Sequence, residues 1–206
     1  MSDVQLRQGI PVVVSAPSGG GKTTLCRRLM EKLTGLEFSI SHTTRAPRGQ
    51  EQDGVDYHFV SEAEFKNLIA EDKFLEWAEV HGNYYGSSLE AARNQLSAGR
   101  DVLFDIDIQG GYQIKEKMPD AVLIFIVPPS MKVLEERLRG RASDAEDVIQ
   151  KRLKAAREEI EGAVNYSHWI INDDLDCALE TFSSVVVAGR VEQSDKEAMM
   201  KVVLGL

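Results

Sequence analysis

The sequence predicts an α/β fold, a parallel sheet core flanked by helices. Short runs that are apolar on both faces recur along the chain, as strands covered by helices on each side require. Stretches with helical spacing lie between these runs, and this alternation favours a parallel sheet. The stretch "VVVSAPSGGGKTTL" at 12–25 joins the first apolar run to the first helical stretch through a glycine-rich turn.

The apolar runs at 10–14, 38–40, 102–104, 122–127 and 169–171 are the expected core strands. Leu25, Leu29 and Leu33 recur at spacing four after the glycine turn, and Ala145, Ile149, Leu153, Ala156 and Ile160 repeat the pattern later. Capping boxes at Ser61/Glu64 and Ser143/Glu146 mark two helix starts. From His42 to about Ala92 the rhythm breaks: polar and aromatic residues gather, with turn signals at Pro47, Gly54 and Gly82. This segment reads as an inserted α+β lobe of short strands with one helix at 62–70. A second interruption, "RLRGRASDAED", has Arg137, Arg139, Arg141 and Arg152 in or near it and reads as a mobile basic segment. Trp77 and Trp169 are expected in the core.

With 206 residues, 43% of them hydrophobic and 28% charged, the chain can bury a sizeable core as one domain. A net charge of −9 argues against general binding to nucleic acid or anionic membrane, so any anion site is a local cation cluster. Cys26 and Cys177 lie in no metal-ligand spacing and suit a reducing compartment. The N-terminus lacks the apolar core of a signal peptide. The expectation is a cytoplasmic soluble protein, a monomer or small homo-oligomer.

The glycine turn nearly matches the phosphate-loop pattern G-x-x-x-x-G-K-[ST]. Gly21, Lys22 and Thr23 fill the last three fixed positions, while Ala16 stands where the pattern has glycine. Such a loop cradles phosphate oxygens with backbone N–H groups at a helix N-terminus. Gly19, Gly20 and Gly21 supply the turning freedom, Lys22 reaches the terminal phosphates, and the Thr23 hydroxyl holds Mg²⁺. Alanine is acceptable at position 16 if its φ stays negative. Asp105 and Asp107 in "VLFDIDIQG", two apart, are expected on one side of a strand end, where α/β sheets place ligands. We assign Asp105 to Mg²⁺, through water.

The segments "SAPSGGGKTT", "SHTTRAPR", "DYHF", "FLEW", "GNYYGSS", "DIDIQG", "RLRGR" and "INDD" occur in this order. Together they strongly resemble the guanylate kinase family over about residues 8–190. The resemblance implies a P-loop NTPase-type core at 8–40 and 93–190, a GMP-binding lobe at about 41–92, a helical lid at about 137–152, and a tail at 191–206 outside it. It implies Mg²⁺-dependent phosphoryl transfer from ATP to GMP, and also to dGMP. ATP falls to Ala16, Pro17, Ser18, Gly19, Gly20, Gly21, Lys22, Thr23 and Thr24, with Asn172 near the adenine. Arg45, Arg48, Tyr57 and Tyr85 take the GMP phosphate, and arginine suits a phosphate dianion through its bidentate fork. Glu76 and Ser41 take the base: a carboxylate matches the guanine N1–H and N2–H₂ donors, and a hydroxyl can donate to O6. Ser87 and Asp107 match positions near the base, and Ser87 also reads as a helix cap. Lys22, Arg137, Arg141 and Arg152 match catalytic or lid positions, whereas Arg139 reads as a surface charge. The family has glycine where this chain has Ala142. Peptide-binding scaffold domains of the same type have degraded phosphate loops, and this chain keeps Lys22 and Thr23.

Overall fold

The computed structural model describes residues 7–80, 82–140 and 145–204. Along these the chain forms β1 (Pro11–Ser15), α1 (Lys22–Lys32), β2 (Leu36–Phe38), β3 (His42–Thr43), β4 (His58–Phe59), α2 (Glu62–Ala70), β5 (Phe74–Val80) and β6 (Asn83–Ser88). There follow α3 (Leu89–Ser97), β7 (Asp101–Asp105), α4 (Ile108–Lys117), β8 (Val122–Val127), α5 (Met131–Gly140), α6 (Glu146–Gly162), β9 (His168–Ile171), α7 (Leu175–Glu192) and α8 (Lys196–Leu204).

The expected parallel sheet is present, with strand order β2-β7-β1-β8-β9. Central β1 is buried along its whole length. Val12 and Val14 pack with Leu25 and Leu29 of α1 and Phe182 and Val186 of α7. Val13 points to the other layer, with Leu96 of α3 and Ile114 of α4. This two-sided cover is why these runs are apolar throughout. β2 lies at 36–38 rather than 38–40: Leu36 and Phe38 pair with Asp101 and Leu103, and Ile40 has left the sheet to line a cavity.

A second sheet, ordered β4-β3-β6-β5, is built from 42–88. Ser61 caps α2 by accepting the Glu64 N–H at 3.2 Å. Phe65 stacks on Phe74 at 4.4 Å, and both rings press on Gly86, where a Cβ would stand only 3.0 Å from either.

Several local expectations are corrected. The cap of α3 is Ser88, not Ser87. Ser143 lies outside the described residues, and α6 starts after Ala145, which makes no side-chain cap bond. Arg137 and Arg139 sit on α5 rather than in a loose segment, and Arg139 ties Glu135 to Glu146 across the α5–α6 junction. Trp77 and Trp169 are 39% and 43% exposed, so neither is a core residue. In the tail, α8 has no buried residue.

At the opposite end of the sheet from the glycine turn, Asp101 is fully buried. It accepts from Arg7 at 2.6 Å, from Arg190 at 2.6 Å and from the Ile10 N–H at 3.0 Å, joining the chain's first strand to α7. Removing one partner of a buried ion pair leaves charge without compensation. Asp101→Ala should therefore lose about 3–5 kcal/mol in urea unfolding. A loss below about 1 kcal/mol, the worth of an ordinary hydrogen bond, would show that the network contributes little.

Candidate active site

The chain leaves β1 at Ser15 and enters α1 at Lys22 through a tight loop. Gly19 and Gly21 have φ of 94° and 93°, a left-handed region that disfavours side chains. Ala16 is not among the positive-φ residues, so alanine fits there without strain. No side chain caps α1, and no acid lies in its first turn. Its free N–H groups and positive dipole end thus favour an anion. Residues 16–24 line a cavity of about 400 Å³, together with Asp107, Ile108 and Glu159.

Lys22 is oriented by two acceptors: its Nζ donates to the Ile106 carbonyl at 3.0 Å and pairs with Asp105 at 2.6 Å. Asn172 has a role that the sequence did not reveal. Its side chain is buried and its Nδ2 donates to the Gly20 carbonyl at 2.8 Å. A Cβ at Gly21 would overlap that same amide. Arg137 donates to the Asn172 carbonyl at 2.8 Å. Asn172, matched by the resemblance to a position near the adenine, thus also braces the loop backbone.

Asp105 and Asp107 do not share a strand face. β7 ends at Asp105, and Asp107 caps α4 by accepting the Gly110 N–H at 2.8 Å. The chain turns between them, so Asp105 faces a second cavity and Asp107 the phosphate-loop cavity. This second cavity, of about 370 Å³, is lined by Thr23, Arg27, Ile40, Ser41, Tyr57, Ser87 and Asp105 among others. Thr23 borders both cavities. The Thr23 hydroxyl and the Asp105 carboxylate, both in the lining of this cavity, are oxygen donors of the type that suits a hard divalent cation. Arg27 was missed from the sequence, although its place four residues after Thr23 puts both on one helix face.

Three residues named for the base come together. Glu76 is only 5% exposed, and the Ser87 hydroxyl donates to its Oε1 at 2.6 Å. The Ser41 and Ser87 hydroxyls are 3.5 Å apart. Burial pushes the Glu76 carboxyl up to about 7; the Ser87 bond opposes this and the nearby Asp107 charge adds to it. Such a group gains from donors that arrive with a ligand.

Of the residues named for the acceptor phosphate, Arg45, Tyr57 and Tyr85 cluster and Arg48 joins them through its backbone N–H, with a partner that the sequence reading did not single out. Glu51 grips the Arg45 guanidinium in a fork, at 2.9 and 3.0 Å, and accepts the Arg48 N–H at 2.7 Å. The Arg45 bond first, then the Arg48 N–H, hold the Glu51 carboxyl below its ordinary value. Arg45 also lies 5.3 Å over the Tyr57 ring, and Tyr57 meets Tyr85 edge to face at 6.2 Å. Glu51 lies six residues from Arg45 in a loop, a spacing that gave no periodic signal. Arg152 lies on α6, half-buried. Arg141 and Ala142 lie outside the described residues.

Known proteins are similar to this chain. The guanylate kinase family model matches residues 8–188. A guanylate kinase of Neisseria meningitidis serogroup A is 50% identical over 188 residues, which cover 91% of this chain and 92% of the relative. One from Myxococcus xanthus is 48% identical over 205 residues, covering 98% and 96%. The crystal structure of guanylate kinase from Anaplasma phagocytophilum superposes with a TM-score of 0.70 at 34% identity, covering 89% of this chain and 87% of that one. The chain belongs to the guanylate kinase family.

Proposed function

We propose that this chain transfers the γ-phosphoryl group of ATP to GMP, giving ADP and GDP, with 16–24 as the donor site and the second cavity as the acceptor site. The observation that carries the reading is the buried Glu76 carboxylate, bonded by Ser87, which with Ser41 lines the second cavity; Thr23 of the phosphate loop lines that cavity too. Guanine offers two adjacent donors to Glu76 and an acceptor, O6, to Ser41. Adenine lacks the N1–H and presents an amino group in place of O6. Arg45, Arg48, Tyr57 and Tyr85 bind the acceptor phosphate, and the segment 41–92 is the GMP-binding lobe.

Phosphoryl transfer asks the protein mainly for positioning and charge stabilisation. Lys22 and the N-terminal N–H groups of α1 hold the donor phosphates. Mg²⁺ entering with ATP would neutralise phosphate charge, and Thr23 and Asp105 would hold it. Arg137, Arg141 and Arg152 belong to a lid over about 137–152 and meet charge that develops during transfer. We place the enzyme in the cytoplasm.

A coupled ADP-release assay with ATP, Mg²⁺ and GMP, dGMP, AMP, CMP or UMP tests the reading. Turnover should occur with GMP and dGMP; equal turnover with AMP would refute the base site.

The raised Glu76 carboxyl sets a pH dependence. Its charged form, which guanine requires, is lost as pH falls through about 7. For free enzyme, kcat/KM for GMP should rise through about pH 7. Glu76→Gln should lower kcat/KM by about 10²-fold, the worth of a buried charged hydrogen bond. It should leave only the titration of the GMP phosphate near about pH 6. An unchanged profile in the variant would remove Glu76 from the site.

The arginines should separate kinetically. Arg45→Ala should raise KM for GMP by about 10²-fold, because its partner phosphate is charged before reaction. Glu51→Ala should raise the same constant by about tenfold and leave KM for ATP unchanged, as expected for a group that orients another. Arg152→Ala should instead lower kcat by about 10³–10⁵. Steady-state kinetics with each substrate varied decides this, and an Arg152→Ala enzyme with normal kcat contradicts the division.

A further inference from the structure

Ser15 is the last residue of β1, immediately before the phosphate loop, and it is fully buried. A hydroxyl buried among apolar strand residues needs hydrogen-bond partners. Two are close: the Ser15 Oγ donates to the Ile106 carbonyl at 2.9 Å and lies 2.8 Å from the Tyr166 hydroxyl. A serine hydroxyl carries one proton, and a carbonyl can only accept. The Ser15 proton therefore goes to Ile106, which makes Tyr166 the donor in the second bond. The direction of the relay is fixed: Tyr166 donates to Ser15, and Ser15 to Ile106.

The fold makes room for this hydroxyl. Tyr166 lies between α6 and β9, and its ring meets Tyr112 edge to face at 5.5 Å and Phe125 at 5.7 Å. A Cβ at Gly111 of α4 would stand 1.9 Å from the Tyr166 hydroxyl oxygen, so a side chain there would displace it.

Ile106, the first residue after β7, is held to β1 on both sides of its own peptide groups. Its N–H donates to the Val14 carbonyl at 3.3 Å, and its carbonyl accepts from Ser15. A carbonyl oxygen has two lone pairs. The second acceptance at Ile106 is the Lys22 Nζ, at 3.0 Å. An ammonium has three N–H groups in a fixed relation. Ile106 takes one and Asp105, at 2.6 Å, draws another, so together they set the direction of the third.

We propose that Ser15 and Tyr166 are positioning residues, a buried hydroxyl relay that holds the Ile106 carbonyl as the acceptor that aims Lys22 at the donor phosphates. The inference rests on the reading of Lys22 given above. Both hydroxyls act through Lys22, and neither touches a phosphate.

The test is calorimetric titration with ATP and Mg²⁺, plus steady-state kinetics, on Ser15→Ala, Tyr166→Phe, Lys22→Met and the Lys22→Met/Ser15→Ala double variant. Tyr112→Phe is the control: it removes a neighbouring hydroxyl, one that donates to the Gly162 carbonyl at 2.6 Å. Ser15→Ala should weaken ATP binding about tenfold, the worth of an ordinary hydrogen bond, and change KM for GMP by less than about twofold. Tyr166→Phe should weaken ATP binding about threefold, because Ser15 still reaches Ile106. Lys22→Met should itself weaken ATP binding about 10²-fold, as loss of a charged hydrogen bond does. In that background Ser15→Ala should add less than about twofold, since the group it acts through is gone. Tyr112→Phe should bind ATP as the parent does. If Ser15→Ala does not fold, Tyr166→Phe keeps the ring packing and carries the same comparison, alone and with Lys22→Met. Unchanged ATP affinity, equal losses for ATP and GMP, an equal loss in Tyr112→Phe, or a loss that persists in full without Lys22 would each overturn the inference. If Lys22→Met is impaired while Ser15→Ala and Tyr166→Phe are not, only the relay fails. If Lys22→Met binds ATP normally, the reading of Lys22 fails with it.

Discussion

A left-handed turn at Gly19 and Gly21 lets the chain leave the central strand and enter α1 with its first N–H groups facing one cavity. The rest of the site is arranged around this constraint. The loop cannot carry a side chain at Gly21, because the Asn172 amide occupies that space and holds the Gly20 carbonyl. Asn172 is in turn tied to Arg137 on α5. Lys22 follows at the first position of α1 and is held by Asp105 and Ile106 at the end of neighbouring β7. Strands β1 and β7, the end of β9 and helix α5 thus converge on the loop between Ser15 and Lys22.

Charge in the site is held ready by internal partners. Arg45 lies in the fork of Glu51, and Lys22 beside Asp105. Each cation is oriented before any phosphate arrives, so less conformational entropy is lost on binding. Glu51 does not use every donor of the Arg45 guanidinium, which has five N–H groups in a fixed plane. The acids follow the opposite logic. Glu76 is buried with one hydroxyl donor and sits at the edge of ionisation, so it discriminates by what a ligand donates to it.

The architecture was legible from sequence because burial on both faces writes itself into consecutive residues. The strand runs and the α2 cap needed no tertiary information: Ser61 and Glu64 are three apart, and their bond is local. The phosphate loop was legible for the same reason, since its work is done by contiguous backbone. Even the substitution at Ala16 could be judged locally, from the sign of one φ. Local reading failed where direction changes over one or two residues. Asp105 and Asp107 were placed on one face by strand periodicity, but the strand stops between them and α4 begins.

By itself the sequence determined the parallel sheet, the glycine turn with Lys22 and Thr23, and the family motifs that name residues for a base and a phosphate. Only the tertiary structure decided which side chain each of these residues meets. Glu76 is far from Ser41 in the chain and reaches its neighbourhood through Ser87, across the pairing of β5 with β6. Asn172 reaches Gly20 across 152 positions, and Glu159 enters the phosphate cavity from a helix whose own pattern records only its packing face. Periodicity and motif report what a residue's immediate neighbours require. Hydrogen-bond partners, burial and the resulting shifts in ionisation depend on distances across the fold, which sequence spacing does not encode.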